Sequence, residues 1–227
     1  MTHIFKIGND VNLLIVLVSL IRNHGVIFCG LGRIFMEYVM FDNIDEPKIG
    51  THCILVYDQP KHMYNFAGWF LKKGLEKKQS SLFITDENPG VVELELRDQG
   101  IKTNEWKSQN LLHISKIPKN LADELDLDDL QSVVMQSLNG SEPPYRIFAK
   151  ICSKIDSEFA KKLIKIEHEL NEIMASMPCS LICSFNKEEL AKIDPEYSKE
   201  IIENHSVVFY ASINDKSCSF ETDILKK

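Results

Sequence analysis

Residues 51–86 read THCILVYDQPKHMYNFAGWFLKKGLEKKQSSLFITD, and the spacing of their apolar residues changes twice. His52–Tyr57 is a short apolar run of strand type, and Ser81–Thr85 is a second one. Between them Met63, Phe66, Ala67, Phe70, Leu71 and Leu75 recur at helical spacing, while Lys72, Lys73, Glu76, Lys77 and Lys78 crowd the solvent side and the last turn. Cations suit the carbonyl end of a helix, so this segment predicts a helix that stops near Lys78. A strand, a crossover helix and a second strand make a βαβ unit, and such units build parallel sheets covered on both faces.

The same alternation continues outward. Asn88-Pro89-Gly90 opens a second helix that Gly100 stops, because Pro suits the first helical position and Gly the end. Leu127–Leu138 predicts a third helix and Asp156–Ser176 the longest, with Phe159, Leu163, Ile166, Leu170, Ile173 and Met177 along one seam. Fewer than three heptads of such a seam fit a helix lying on its own sheet better than a coiled coil. Further strands are expected at Leu111–Ile114, Tyr145–Ile151, Ser180–Ser184 and Ser206–Ala211, and a last short helix near Pro195–Glu203. The fold class is therefore α/β, a mostly parallel sheet flanked by helices in three layers.

In a phosphate-binding protein of this order, the first strand leads into a glycine-rich loop whose amides cradle phosphates. Here the loop is YDQPKHMYN, residues 57–65, with one Lys, no Gly and a Pro that removes an amide donor. The later strand that would end in a magnesium-binding Asp reads YRIFAKICSK, residues 145–154, with Cys152 and Ser153 at its exit. Both halves of a magnesium–phosphate apparatus are missing, which argues against P-loop hydrolysis. No G-x-S-x-G, HExxH or G-x-G-x-x-G pattern follows a strand, so the chain is not expected to be an enzyme, and no cofactor or metal site is predicted.

At 227 residues the chain holds one substantial domain with an appendage, and 26 Lys+Arg against 33 Asp+Glu give a net charge of −7. The basic residues are scattered along helices, so no direct nucleic-acid contact is expected. Six cysteines without a CxxC pair read as buried cytosolic thiols, consistent with a cytoplasmic protein. Cys179 and Cys183 would share one face of a strand. Residues 1–49 form an apolar N-terminal extension whose runs Val11–Ile21 and Val26–Gly32 are each too short to span a bilayer. They read as an extra helix and strand on the domain, as sequence upstream of a true start at Met36 or Met40, or as a single membrane anchor that would bury Arg22 and His24; no other membrane contact is expected. Residues 213–227 form a polar, mobile tail.

Phe70–Ile101, FLKKGLEKKQSSLFITDENPGVVELELRDQGI, resembles the stretch after the phosphate loop in KaiC-like members of the RecA superfamily. Taken with GTHCILVYD (50–58), ELNEIM (169–174), SLICSFN (180–186) and NHSVVFY (204–210), residues 50–212 resemble the MEDS domain, the methanogen/methylotroph, DcmR sensory domain. The resemblance implies a RecA/KaiC-like fold and a sensor of small molecules, simple hydrocarbon derivatives among them, joined in prokaryotic signalling to kinases or DNA-binding regulators. It also implies a ligand pocket using His and Cys side chains: His52, the pair Tyr57-Asp58, Glu167, Cys183 and His205. No kinase, helix-turn-helix or PAS pattern occurs in this chain, so its signalling partner is open.

The residues themselves point elsewhere for part of that set. Ligands of open parallel sheets bind outside the carboxyl ends of strands, which selects Tyr57, Asp58, Asp86, Glu87, Cys152 and Ser184–Asn186, with His62 beside Asp58. This reading places the pocket over the 57–62 loop and the 86–88 turn. His52 and His205 start strands and so belong to the opposite edge, Cys183 fits a simple core thiol, and Glu167 with His168 and Glu169 fits a solvated helix face. Two other functions stay open: a degenerate nucleotide-binding protein that no longer hydrolyses, and an interaction module using the 159–177 seam or the N-terminal segment.

Overall fold

The computed structural model of the chain describes residues 48–117, 126–150, 156–211 and 217–221. The extension before residue 48 and the Cys152-Ser153 exit lie outside them. In chain order the elements are β1 (His52–Tyr57), α1 (Pro60–Glu76), β2 (Ser80–Thr85), α2 (Pro89–Asp98), α3 (Thr103–Ser108), β3 (Leu112–Lys116), α4 (Leu127–Ser137) and β4 (Tyr145–Lys150). Then come α5 (Ser157–Met174), β5 (Cys179–Asn186), α6 (Lys187–Leu190), α7 (Pro195–Glu203), β6 (Val207–Ala211) and β7 (Ser217–Glu221).

The strands form one sheet in the order β3-β2-β4-β5-β1-β6-β7. The first six are parallel, and β7 pairs antiparallel with β6. This is the expected α/β sheet, with one difference: the polar tail carries β7, which covers the β6 edge from Val207 to Ala211. An open edge of unpaired amides and carbonyls templates association, and a short polar strand closes it.

Side chains alternate across β1, and this sorts the core into two layers. Cys53, Leu55 and Tyr57 pack with Met63, Phe66, Phe70 and Leu71 of α1 and with Val92 and Leu96 of α2. Ile54 and Val56 face the other way, with Leu130 of α4, Ala160, Leu163 and Ile166 of α5, and Ile201 of α7. Each fully buried Leu, Ile or Phe contributes about 1.5–3 kcal/mol from apolar area removed from water. Phe159 and Leu170 of α5, and Met177 just after it, also pack on this second layer, so the 159–177 seam serves the chain's own core.

Caps explain where the helices begin. Asn88, Asp126, Asp156 and Asp194 each accept a backbone N–H of the following turn, worth about 1 kcal/mol apiece. Gly100 has φ +78, the left-handed conformation that ends α2 where the sequence predicts the stop. The short α3 was not anticipated, because six residues are too few to display a period.

Candidate ligand site

The β1–α1 connection decides the phosphate question. Only Asp58 and Gln59 separate Tyr57, the last residue of β1, from Pro60, the first of α1. Two residues are too few to wrap a phosphate, and Pro60 contributes no amide at the helix start. Asp58 instead accepts a 2.6 Å hydrogen bond from the Tyr210 hydroxyl and lies 3.4 Å from Lys187 Nζ. A carboxylate at this position repels an anion.

The end of β4 is inverted in charge relative to a magnesium site. Lys150 is the last residue of β4, is buried, and donates to Glu87 across the β2–β4 pair. The Tyr64 hydroxyl donates to the other oxygen of Glu87 at 2.8 Å. Burial pushes the Glu87 carboxyl up, but the bonds from Lys150 and Tyr64 outweigh it and hold the group below the ordinary carboxylate range. For Tyr64, burial and then Glu87 push the phenol upward, so it stays a donor.

A second polar group is buried at the opposite edge of the sheet. His52 opens β1, His205 precedes β6, Cys183 lies within β5 and Glu167 lies within α5. All four are buried, each less than 5% exposed. Both imidazoles approach the same carboxylate oxygen, His52 Nε2 at 3.2 Å and His205 Nε2 at 3.4 Å from Glu167 Oε2. Cys183 Sγ lies 3.5 Å from His52 Nε2 and 3.9 Å from Glu167 Oε2. His205 Nδ1 is 2.7 Å from the Ile201 carbonyl, which fixes that ring's orientation. Burial opposes the Glu167 charge, yet the charge and hydrogen bonds of His205 and His52 hold its carboxyl down to about 2. Burial, and then the neighbouring His205, push the His52 imidazole below its ordinary value.

Beside this quartet lies an apolar cavity of about 340 Å³ between the sheet and helices α4 and α5. Leu130 and Val134 of α4, Leu170 and Met174 of α5, and Ile147 and Leu181 of the sheet line it, and Cys179 and Cys183 form part of its wall. Burial pushes the Cys179 thiol up to about 11, so it stays protonated and behaves as a small apolar group. Cys183 belongs to both features: its sulfur touches the polar quartet and borders the cavity.

Of the sequence-selected residues, His52, Glu167, Cys183 and His205 come together. Tyr57, Asp58, His62, Asp86 and Glu87 stand at the carboxyl edge or on α1 and line no part of the cavity. The 57–62 loop and the cavity beneath α4 are therefore separate places, and at the loop edge Asp58 and Glu87 are engaged with Tyr210, Lys187, Lys150 and Tyr64. The solvated-face reading of Glu167 is also corrected. It lies four residues after Leu163 and three before Leu170, which places it in the apolar stripe, whereas His168 beside it points outward. The sequence reading missed Tyr64, Lys150, Lys187 and Tyr210. Lys150 carried the usable signal, a cation directly after the apolar Ile147-Phe148-Ala149 run of the strand.

Among solved structures the chain is similar to a KaiC-like protein from the hyperthermophilic archaeon Pyrococcus horikoshii, at 18% identity and a TM-score of 0.51, covering 74% of this chain and 75% of that one. At that identity the likeness establishes the RecA-type fold alone. No curated protein matches the chain. The family model of the methanogen/methylotroph, DcmR sensory domain matches residues 51–206, the span that holds both the cavity and the buried quartet, and the chain belongs to that MEDS family.

Proposed function

We propose that this chain is a non-catalytic sensing domain that takes a small, largely apolar molecule into the cavity beneath α4 and α5. The observation that carries this reading is the junction at Cys183, where a cavity of about 340 Å³ with apolar walls meets a buried His–Glu–His cluster. Pockets that select small organic molecules combine apolar walls with a few placed polar groups. A simple hydrocarbon derivative suits this one, since its apolar part would fill the space and its polar or halogen end could face the thiol.

Family membership supports sensing as the role, and the shortness of the β1–α1 connection speaks against nucleotide. Occupancy would be transmitted through α4 and α5, which supply walls of the cavity and pack on the same apolar layer of the sheet. The reader of that signal would be a partner protein of a prokaryotic regulatory pathway in the cytoplasm.

Thermal unfolding in the presence of short alcohols, small organic acids, halogenated methanes, ATP and ADP tests the reading. A ligand at one hundred times its Kd stabilises by about 2.7 kcal/mol. One of the small organic classes is expected to raise the midpoint by several degrees, with no effect of nucleotide. Stabilisation by ATP or ADP and by no organic compound would instead favour a degenerate nucleotide-binding protein.

A further inference from the structure

The quartet of His52, Glu167, Cys183 and His205 has the donor set and spacing of a metal centre. Its four donor atoms, two imidazole nitrogens, one carboxylate oxygen and one sulfur, all lie within 4.8 Å of one another. Zinc binds such atoms at about 2.0–2.3 Å in a tetrahedron, whose edges are then about 3.3–3.6 Å. The edges given by the structure are 3.2 Å for His52–Glu167, 3.4 Å for His205–Glu167, 3.5 Å for His52–Cys183 and 3.9 Å for Cys183–Glu167. We propose that these four side chains bind one divalent transition-metal ion, zinc by preference, at the buried edge of the domain.

Three further features fit a metal and fit a plain hydrogen-bonded cluster less well. Two ring nitrogens converge on a single carboxylate oxygen. When His205 donates from Nδ1 to the Ile201 carbonyl, only the protonated ring can also donate to Glu167 Oε2, and the neutral ring turns the Nε2 lone pair toward that oxygen. Two lone pairs facing each other repel, and a cation between them converts the repulsion into two bonds. That Nδ1 bond to a backbone carbonyl is also how metal-ligating histidines are commonly oriented.

Charge balance gives the third feature. A carboxylate buried as deeply as Glu167 is costly unless its charge is met. A dication with one carboxylate, one thiolate and two neutral imidazoles sums to zero, which is the form a dry site tolerates best. The thiol proton of Cys183 leaves to solvent as the metal–sulfur bond forms. The Cys183–Glu167 edge has its sulfur in the cavity wall, so the centre would present a metal-bound thiolate to whatever enters.

The test is metal analysis and X-ray absorption on the full chain, produced with zinc in the medium and purified without chelator. About one zinc per chain is expected, with a first shell of one sulfur and three nitrogen or oxygen atoms. Glu167→Gln and Cys183→Ser should each retain at least tenfold less metal. A protein that carries no zinc, and whose thermal midpoint moves neither with added zinc nor with chelator, would overturn the proposal and leave a metal-free ionic cluster. A first shell without sulfur, or full metal retention by both variants, would overturn it as well. If either variant fails to fold, the wild-type absorption spectrum still decides. The metal site stands apart from the sensing reading: zinc without any small-molecule binding keeps the first and removes the second.

Discussion

Cys183 Sγ stands 3.5 Å from His52 Nε2, although 131 positions separate the two residues along the chain. The register of β1 against β5 produces this contact. Ile54 pairs with Cys183 and His52 with Leu181, so His52 and Cys183 are diagonal neighbours on one face of the sheet. The geometry therefore depends on the parallel pairing, and any shift of one residue would send His52 to the α1 face.

If the cavity is the sensing site, filling it should silence sensing without unfolding the domain. Val134→Phe, on the α4 wall, places a larger side chain in the space. The midpoint without ligand should change by no more than about 1.5 kcal/mol equivalent, since room exists for the ring. Ligand-induced stabilisation should vanish in the same thermal assay. A variant that still responds fully would locate binding elsewhere.

Gly74→Ala tests packing against propensity, because the two predict opposite signs. Ala is favoured over Gly within a helix by about 1 kcal/mol. A Cβ at Gly74, however, would lie 2.4 Å from Arg146 Cδ and 2.9 Å from its Nε. Arg146 is buried and held by Gln79 Oε1 at 2.7 Å and the Phe70 carbonyl at 3.2 Å. A net loss of about 2 kcal/mol is expected in urea unfolding. An unchanged or raised midpoint would mean that the guanidinium moves aside at no cost.

Glu87 and Lys150 give a pH signature. The Glu87 carboxyl is held below its ordinary range in the folded chain, so its contribution is present above the unfolded value and is lost as pH falls through the folded one. Lys150→Met removes the partner at similar volume and should cost about 1 kcal/mol near neutral pH. The gap between wild type and variant should narrow below about pH 4.3, the unperturbed Glu value. A gap that is constant from pH 7 to pH 3 would show that the pair contributes no electrostatic stability.

Truncation after Ala211 removes β7 and leaves the β6 edge open from Val207 onward. Concentration-dependent association, read by light scattering during size exclusion, is the expected consequence. An unaltered monomer-to-oligomer ratio would show that β7 does not protect the edge.

The fold was legible because its signals are local. His52–Tyr57 reads as a strand with the bounds the structure shows, and Asn88, Asp126 and Asp156 cap helices where their spacing suggests. Strand β7 left no such signal. SCSFE is short and polar, and it becomes a strand only because β6 offers an edge to pair with.

The site was legible in a different way. Residue patterns favoured the carboxyl edge, where Asp58 and Glu87 turn out to be engaged with Lys187, Tyr210, Lys150 and Tyr64. The quartet joins β1, β5, α5 and the turn before β6, and no local period brings those four together. Only the likeness to a family singled out all four. The stripe position of Glu167, between Leu163 and Leu170, was the one local clue that its carboxylate points inward.

The most direct test of the central claim uses the methionines as reporters. Met135, Met174 and Met177 line the cavity, whereas Met63 is buried in the layer on the opposite face of the sheet. In a protein labelled with carbon-13 at the methionine methyls, titration with a halogenated methane or a short alcohol should shift the Met135, Met174 and Met177 resonances together and saturably, leaving Met63 in place. Shifts confined to Met63, or no saturable shift at any of the four, would contradict a small-molecule site beneath α4 and α5.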